Sequence, residues 1–498
     1  MTTVEGSNGA RRPPRPAGRP SVAVVGGGFG GIGAALLLRR AGYDDVTVFE
    51  RGDRVGGVWH HNSYPGIACD VPSHLYEFSF APNPHWSRRY SPGHEIQAYI
   101  EDVARREGVL DGVRLGTEVT RAVFDEERSR WMLETSAGEH EADVLVTACG
   151  QLSVPTIPSI PGIEDFEGPA FHTARWRHDV DLTAKRVAVI GTGCSTIQVA
   201  PSIQPEVAKL DIYQRSPGWT IPKMDHGYGP RARRLFERVP ALQRLDRMAT
   251  FAFMELGAAA MTKHRWLLGP FTAAGRRQIR KAIDDPVLRD KVTPRDEVGC
   301  KRIMLTDHWY PTLTRPNVEL VTDRVERITR DGVQTADGVT RAADVIVFGT
   351  GFESHAFVAP MEIVGRGGLT LTDAWGDVPK AYLGLTVSGF PNMFLLYGPN
   401  TNGGTGSVIY TTEAAAAHVI AAIRELERKR ARTIELRAEA GEAFDRELRE
   451  ALAGTVWHTG CTSWYVDEHG NDPNQWPWLW STYRRRTARV DPSVYQLE

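Results

Sequence analysis

Four consecutive apolar residues, Val22–Val25, run into the turn Gly26-Gly27-Gly28-Phe29-Gly30-Gly31. Helix-like periodicity follows from Ile32 to Arg40, and a second apolar run, Val46-Thr47-Val48-Phe49, ends on Glu50. Short apolar runs bounded by glycine predict buried strands, and the longer amphipathic stretch between them predicts a helix. The segment therefore reads as a complete βαβ unit. The pattern then returns. Arg186–Ile190 leads into Gly191-Thr192-Gly193-Cys194-Ser195-Thr196, and Leu210-Asp211-Ile212-Tyr213-Gln214 ends on Arg215. Two further apolar runs, within 143–150 and 344–352, predict a buried strand closing each unit.

Such turns hold a pyrophosphate on a helix N-terminus, where free N–H groups and the helix dipole favour negative charge, and the glycines let the backbone approach. The residue 24 positions after each first glycine (26 to 50, 191 to 215) has opposite charge in the two units. Glu50 accepts hydrogen bonds from a free ribose 2′-hydroxyl and repels a 2′-phosphate; Arg215 with Ser216 suits a 2′-phosphate. The expected cofactors are FAD on Gly26, Gly28, Gly31, Glu50 and Arg51, and NADPH on Gly191, Gly193, Ser195, Arg215 and Ser216. Thr196 stands where close helix–strand contact prefers Gly or Ala, which predicts a looser second site.

At 498 residues the chain is long enough for two to four domains. Its net charge of −2 gives no global basic field for nucleic acid. Five scattered cysteines, Cys69, Cys149, Cys194, Cys300 and Cys461, without a C-x-x-C pair, argue against a disulfide scaffold, a zinc site or a thiol–disulfide reductase, and no metal is expected. No run approaches the roughly 18 apolar residues of a membrane span, and Met1 to Pro20 reads as a disordered Arg/Pro/Gly tail without an apolar signal. The expectation is a cytoplasmic flavoprotein.

The predicted fold is α/β: two Rossmann-like dinucleotide-binding domains, with a helical insertion in the second at about 228–289. The expected division is a tail at 1–20, a first part of the FAD domain at 21–160, the NADPH domain at 161–345, and a return part at 346–498 carrying a Trp-rich segment from Trp457 to Tyr483. The tryptophans are read as packing. The basic, amphipathic insertion is read as a cover over the active site, with contact to a membrane surface the lesser alternative.

Between the two units lies Phe166-Glu167-Gly168-Pro169-Ala170-Phe171-His172-Thr173-Ala174-Arg175-Trp176. This F-x-G-x-x-x-H-x-x-x-W run resembles the fingerprint of Baeyer–Villiger monooxygenases, within the wider flavin-containing monooxygenase family. Gly57-Val58-Trp59, Tyr64-Pro65-Gly66 and Asp70 are similar to a second pattern of that family, as are Cys300-Lys301-Arg302 and Gly349-Thr350-Gly351-Phe352. Arg177 departs from the usual Pro or Asp, which leaves sulfur or nitrogen oxygenation as an alternative to ketone oxidation; a reductase making no oxygenated product is a third reading.

The resemblance implies an NADPH-consuming enzyme that inserts oxygen from O₂ beside a ketone carbonyl through a C4a-peroxyflavin. It implies that Trp59 and Tyr64 pack near the flavin, that His172 and Trp176 lie at the domain junction and couple NADPH binding to motion, and that Lys301 points toward the NADPH phosphate. Arg302 is the expected catalytic residue. A guanidinium is always charged and donates from a rigid plane, which suits the anionic oxygens of such a reaction. Asp70 is expected to orient it.

Overall fold

The computed structural model describes residues 18–461, 463–467 and 469–498; the expected tail falls almost wholly in residues 1–17, outside the described residues. Two five-stranded parallel sheets form the frame. The first runs in the order Met393–Leu395, Val144–Thr147, Val22–Val25, Val46–Phe49, Val113–Arg114. The second runs Val318–Val321, Lys209–Tyr213, Arg186–Ile190, Val345–Phe348, Ala170–His172. Parallel strands need crossovers and are covered on both faces, which is why Val22, Ala23, Val24 and Val187 to Val189 are all almost fully buried.

Register does the positioning. Val25 pairs with Phe49, and Ile190 with Tyr213, so each glycine turn and the charged residue after the second strand emerge at the carboxyl end of the same parallel strands. The first glycine of each turn is locked by the neighbouring strand. Gly26 and Gly191 have φ of 112° and 104°, and a Cβ on either would lie 2.5 Å from a carbonyl oxygen, of Ala148 and of Gly349 respectively. Only glycine meets both conditions.

After the second sheet the chain returns to the first: Met393–Leu395 pairs with Val144–Thr147, and the helix Val408–Lys429 packs on Phe29–Arg40. Between neighbouring strands of the second sheet lies a helical excursion, Pro230–Arg238, Pro240–Thr262, Gly269–Ala282 and Pro286–Val292. Its base is closed where Thr220–Ile221 pairs in parallel with Met304–Leu305. That small ladder places Lys301 and Arg302 where the excursion re-enters the domain.

The cysteines depart in part from expectation. Cys300 and Cys461 form a disulfide, while Cys69, Cys149 and Cys194 are free. Their separation of 161 residues hid the pair, because pairing over such a distance depends on the tertiary fold. The Trp-rich segment is mixed. Trp457 and Trp476 are buried as packing, but Trp464 and Trp480 also face the cavity described next.

Candidate active site

One cavity of about 1700 Å³ runs over both glycine turns and between the two sheets. That exceeds the roughly 300–1,000 Å³ of a single small-molecule site. Gly26, Gly28, Glu50, Arg51, Gly57, Trp59, Tyr64 and Asp70 line it from the first unit; Gly191, Gly193, Ser195, Arg215, Ser216, Lys301 and Arg302 line it from the second. Gly31 does not: a Cβ there would sit 1.8 Å from the Gly26 carbonyl oxygen, so that glycine serves helix–strand packing.

Arg302 and Asp70 meet at the centre. Arg302 Nη2 donates to Asp70 Oδ2 at 2.5 Å, across 232 residues of sequence, and both side chains are partly open to the cavity. Burial alone would raise the Asp70 carboxyl, but the Arg302 charge and hydrogen bond outweigh it and hold the group below its ordinary range. Asp70 in turn pushes the guanidinium further up. The pair is charged at any working pH. Asp70 is held in place by its loop, where Cys69 N donates to the Ser91 carbonyl and Tyr64 OH donates to Gln198 Oε1 of the opposite domain.

Glu50 is buried, and each carboxylate oxygen accepts one backbone N–H, from Gly27 and from Gly52, both at 2.7 Å. A carboxylate has about four acceptor sites, so capacity for a ribose hydroxyl remains. At the second turn, Lys301 Nζ donates to Ser216 Oγ at 3.2 Å and pairs with Asp296 at 2.6 Å. Arg215 is exposed and makes no ion pair among the described residues.

The chain is similar to Baeyer–Villiger monooxygenases of Streptomyces coelicolor, at 44% identity over 96% of this chain and 92% of the relative, and of Pseudomonas aeruginosa, at 40% over 96% and 91%. The chain belongs to the Baeyer–Villiger monooxygenase family. Its residues 23–246 also match the family described as pyridine nucleotide-disulphide oxidoreductase. Among solved structures it resembles an oxidized steroid monooxygenase bound to NADP, with TM-score 0.85, 32% identity and coverage of 96% of this chain and 99% of that one. A cyclohexanone monooxygenase from Rhodococcus sp. Phi1 bound to NADP⁺ gives TM-score 0.86, 28% identity and the same coverage. The chain is accordingly an FAD- and NADPH-dependent monooxygenase with the two nucleotide-binding domains of the family.

The turns themselves fit dinucleotides in this monooxygenase. A Cβ on Gly28 would meet only Gly57, at 3.5 Å, and one on Gly193 nothing closer than the Gly349 carbonyl oxygen at 4.0 Å. No protein atom requires glycine at either place. The space beside both is open to a group approaching the backbone from the cavity, as a pyrophosphate does.

The fingerprint residues stand back from this space. His172 is buried, its Nδ1 accepts from Ala174 N at 3.0 Å, and burial pushes the imidazole down to about 4. It pairs in register with Phe348, while Trp176 packs edge-on against Phe171. Neither lines the cavity, although their neighbours Ala174 and Arg175 do. Arg177 is exposed and paired with Asp179, and the departure from the family pattern is not among the residues lining the cavity.

Sequence reasoning set the insertion over the active site but named none of the residues that face it. Phe253, Met254, Gly257, Met261, Leu268 and Phe271 of the helical excursion line the cavity opposite the turns. Their helical spacing was visible, but which face looks inward depends on how the excursion packs.

Proposed function

We propose that the enzyme converts a ketone, O₂, NADPH and a proton into an ester or lactone, NADP⁺ and water, with Arg302 as the catalytic residue and Asp70 as its positioning partner. The observation carrying this reading is the Arg302–Asp70 pair facing one cavity that spans both glycine turns. FAD supplies the redox chemistry by which O₂ becomes the oxygen donor. The chain supplies everything else.

Gly26, Gly28 and the N-terminus of the first helix receive the FAD pyrophosphate; Glu50 binds its ribose. Arg51, Gly57, Trp59 and Tyr64 complete that side of the cavity. Gly191, Gly193 and Ser195 receive the NADPH pyrophosphate, and Arg215, Ser216 and Lys301 hold the 2′-phosphate. His172 and Trp176 support the segment that carries Ala174 and Arg175 into the cavity. Arg302 donates to anionic oxygens at the reacting centre, in a site walled by apolar side chains where such donors are worth more than in water. Asp70 keeps the guanidinium plane aimed.

Ketone oxidation is favoured over heteroatom oxidation because a fixed cation facing the cavity suits a carbonyl oxygen that gains negative charge. A cyclohexanone monooxygenase with bound ε-caprolactone shares the fold, with TM-score 0.81 and 28% identity. We place the enzyme in the cytoplasm, a reading supported by NADPH use; no helix among the described residues is long and apolar enough to cross a membrane. The test is to incubate holoenzyme, NADPH and O₂ with a mixed panel of ketones and sulfides and identify products by mass. Esters from ketones are expected. Sulfoxides alone would assign the site to heteroatom oxidation, and peroxide with no oxygenated product would reject a monooxygenase.

A further inference from the structure

The helix Pro240–Thr262 turns a row of apolar side chains outward. Leu242, Leu245, Met248, Phe253 and Leu256 are 37%, 61%, 67%, 57% and 53% exposed, and Trp266 just beyond its end is 77% exposed. Their spacing puts the five helical residues on one stripe. The helix is held against rolling by polar contacts on its far face, at Gln243 and Arg247, and at the border of the stripe, at Asp246. Gln243 Nε2 donates to Glu77 Oε1 at 2.9 Å, Asp246 bonds His74 at 2.7 Å, and Arg247 donates to the carbonyls of His74 and Glu77.

Cations flank the stripe at both ends. Arg231, Arg234, Arg238 and Arg244 precede or border it and Lys263 follows it; all are exposed, and none makes an ion pair among the described residues. A second copy packed antiparallel on this stripe would set Arg238 and Arg244 against the other chain's Lys263, with Glu237 the one exposed acid between residues 230 and 266. Like charges would meet. An anionic lipid surface satisfies both features, taking Leu, Met, Phe and Trp into the acyl boundary and the arginines among its headgroups.

We propose that the exposed face of Pro240–Thr262, with the arginines of the preceding helix Pro230–Arg238, docks the enzyme on anionic lipid bilayers. The helix lies on the surface and does not span it, since no described helix is long and apolar enough to cross. The chain's net charge is −2, so attraction to such a surface comes from this patch and not from the molecule as a whole. Phe253 belongs to both surfaces, 57% exposed on the outer face and lining the cavity, with Met254 and Gly257 beside it. Docking therefore brings the cavity wall to the lipid, and an apolar ketone dissolved there has a short path inward; that consequence rests on the proposed reaction, whereas docking does not.

The test is sedimentation of full-length holoenzyme with phosphatidylcholine vesicles and with phosphatidylcholine–phosphatidylglycerol vesicles, without NADPH, so that binding is read independently of turnover. Binding to the anionic vesicles is expected, weakening as salt is raised, with little binding to the neutral ones. Leu245→Asp/Met248→Asp should weaken it by about tenfold or more, and Arg234→Glu/Arg238→Glu by about tenfold. Both variants keep Arg11, Arg12 and Arg15 of the N-terminal segment, so a loss cannot come from there. Flavin content and melting temperature should match the unmodified enzyme, which separates lost docking from lost folding. A blue shift of tryptophan fluorescence on binding, absent in Trp266→Phe, would place that ring at the interface. Failure of the unmodified enzyme to bind anionic vesicles, unchanged binding in both variants, or a solution dimer dissociated by Leu245→Asp/Met248→Asp would overturn the proposal.

Discussion

Thr196 fills the space that Gly349 leaves open: its Oγ1 lies 2.0 Å from where a Cβ on Gly349 would stand. The second turn has exchanged a glycine on the helix for one on the neighbouring strand end. Contact between helix and strand is therefore tight at Thr196, the glycine being supplied from the strand side.

That exchange gives a double-mutant test. Gly349→Ala should destabilise the enzyme by about 1–3 kcal/mol through overpacking, and Thr196→Gly should recover most of the loss in the double variant. Thr196 Oγ1 is also buried without a hydrogen-bond partner among the described residues. Thr196→Val, which removes an unsatisfied hydroxyl at nearly constant volume, should raise the melting temperature of the nucleotide-free enzyme. A melting temperature unmoved by Gly349→Ala would refute the arrangement.

Gly28 and Gly26 should fail differently. In Gly28→Val the new Cβ meets only Gly57 at 3.5 Å, so the chain should fold and bury its core but lose bound FAD, read as absent flavin absorbance beside an unchanged far-ultraviolet spectrum. Gly26→Ala forces φ of 112° on alanine and a 2.5 Å contact with a carbonyl. It should cost about 1–3 kcal/mol or more of stability. Full flavin content in folded Gly28→Val protein would remove the FAD pyrophosphate from this turn.

Arg215 should carry coenzyme choice. A charge-assisted hydrogen bond to the 2′-phosphate is worth about 1.5–3 kcal/mol, so NADPH should be preferred over NADH by roughly 10- to 100-fold in kcat/KM. Arg215→Ala should lose most of that preference with NADH use little changed. Lys301 already pairs with Asp296, so Lys301→Ala should cost less. Equal use of both coenzymes by the unmodified enzyme would contradict this assignment.

Much of this was legible in sequence because βαβ units are local: strand, turn, helix and the charged residue after the second strand lie within 30 residues of each other, at positions 22–50 and 186–215. The opposite signs of Glu50 and Arg215 needed no fold to be read. Asp70 and Arg302 are different. Nothing local joins residues 232 apart; only their place in family patterns suggested a pair. The Thr196–Gly349 exchange and the Cys300–Cys461 link escaped because both are made by contacts between distant segments. So did the outward stripe of Pro240–Thr262, whose amphipathic period is plain but whose orientation is set by the polar anchors Gln243, Asp246 and Arg247.

Arg302 should separate NADPH consumption from product formation. Arg302→Ala should retain FAD and still oxidise NADPH, with oxygenated product reduced about 10²- to 10³-fold, the usual cost of one preorganised donor. Asp70→Ala should show a milder loss, and Asp70→Asn, which keeps an acceptor oxygen, a milder loss still. The pH profile supplies a second check. Asp70 is held below its ordinary value of 3.8, so its pairing with Arg302 is present above that pH and is lost only as pH falls through the lowered value. Arg302, pushed up by Asp70, stays protonated on the alkaline side. Product per NADPH consumed should therefore be flat with respect to this pair across the neutral range. An acid limb near neutrality that disappears in Asp70→Asn would show that Asp70 titrates there and acts as a proton carrier, which would reject its role as a fixed anion that positions Arg302.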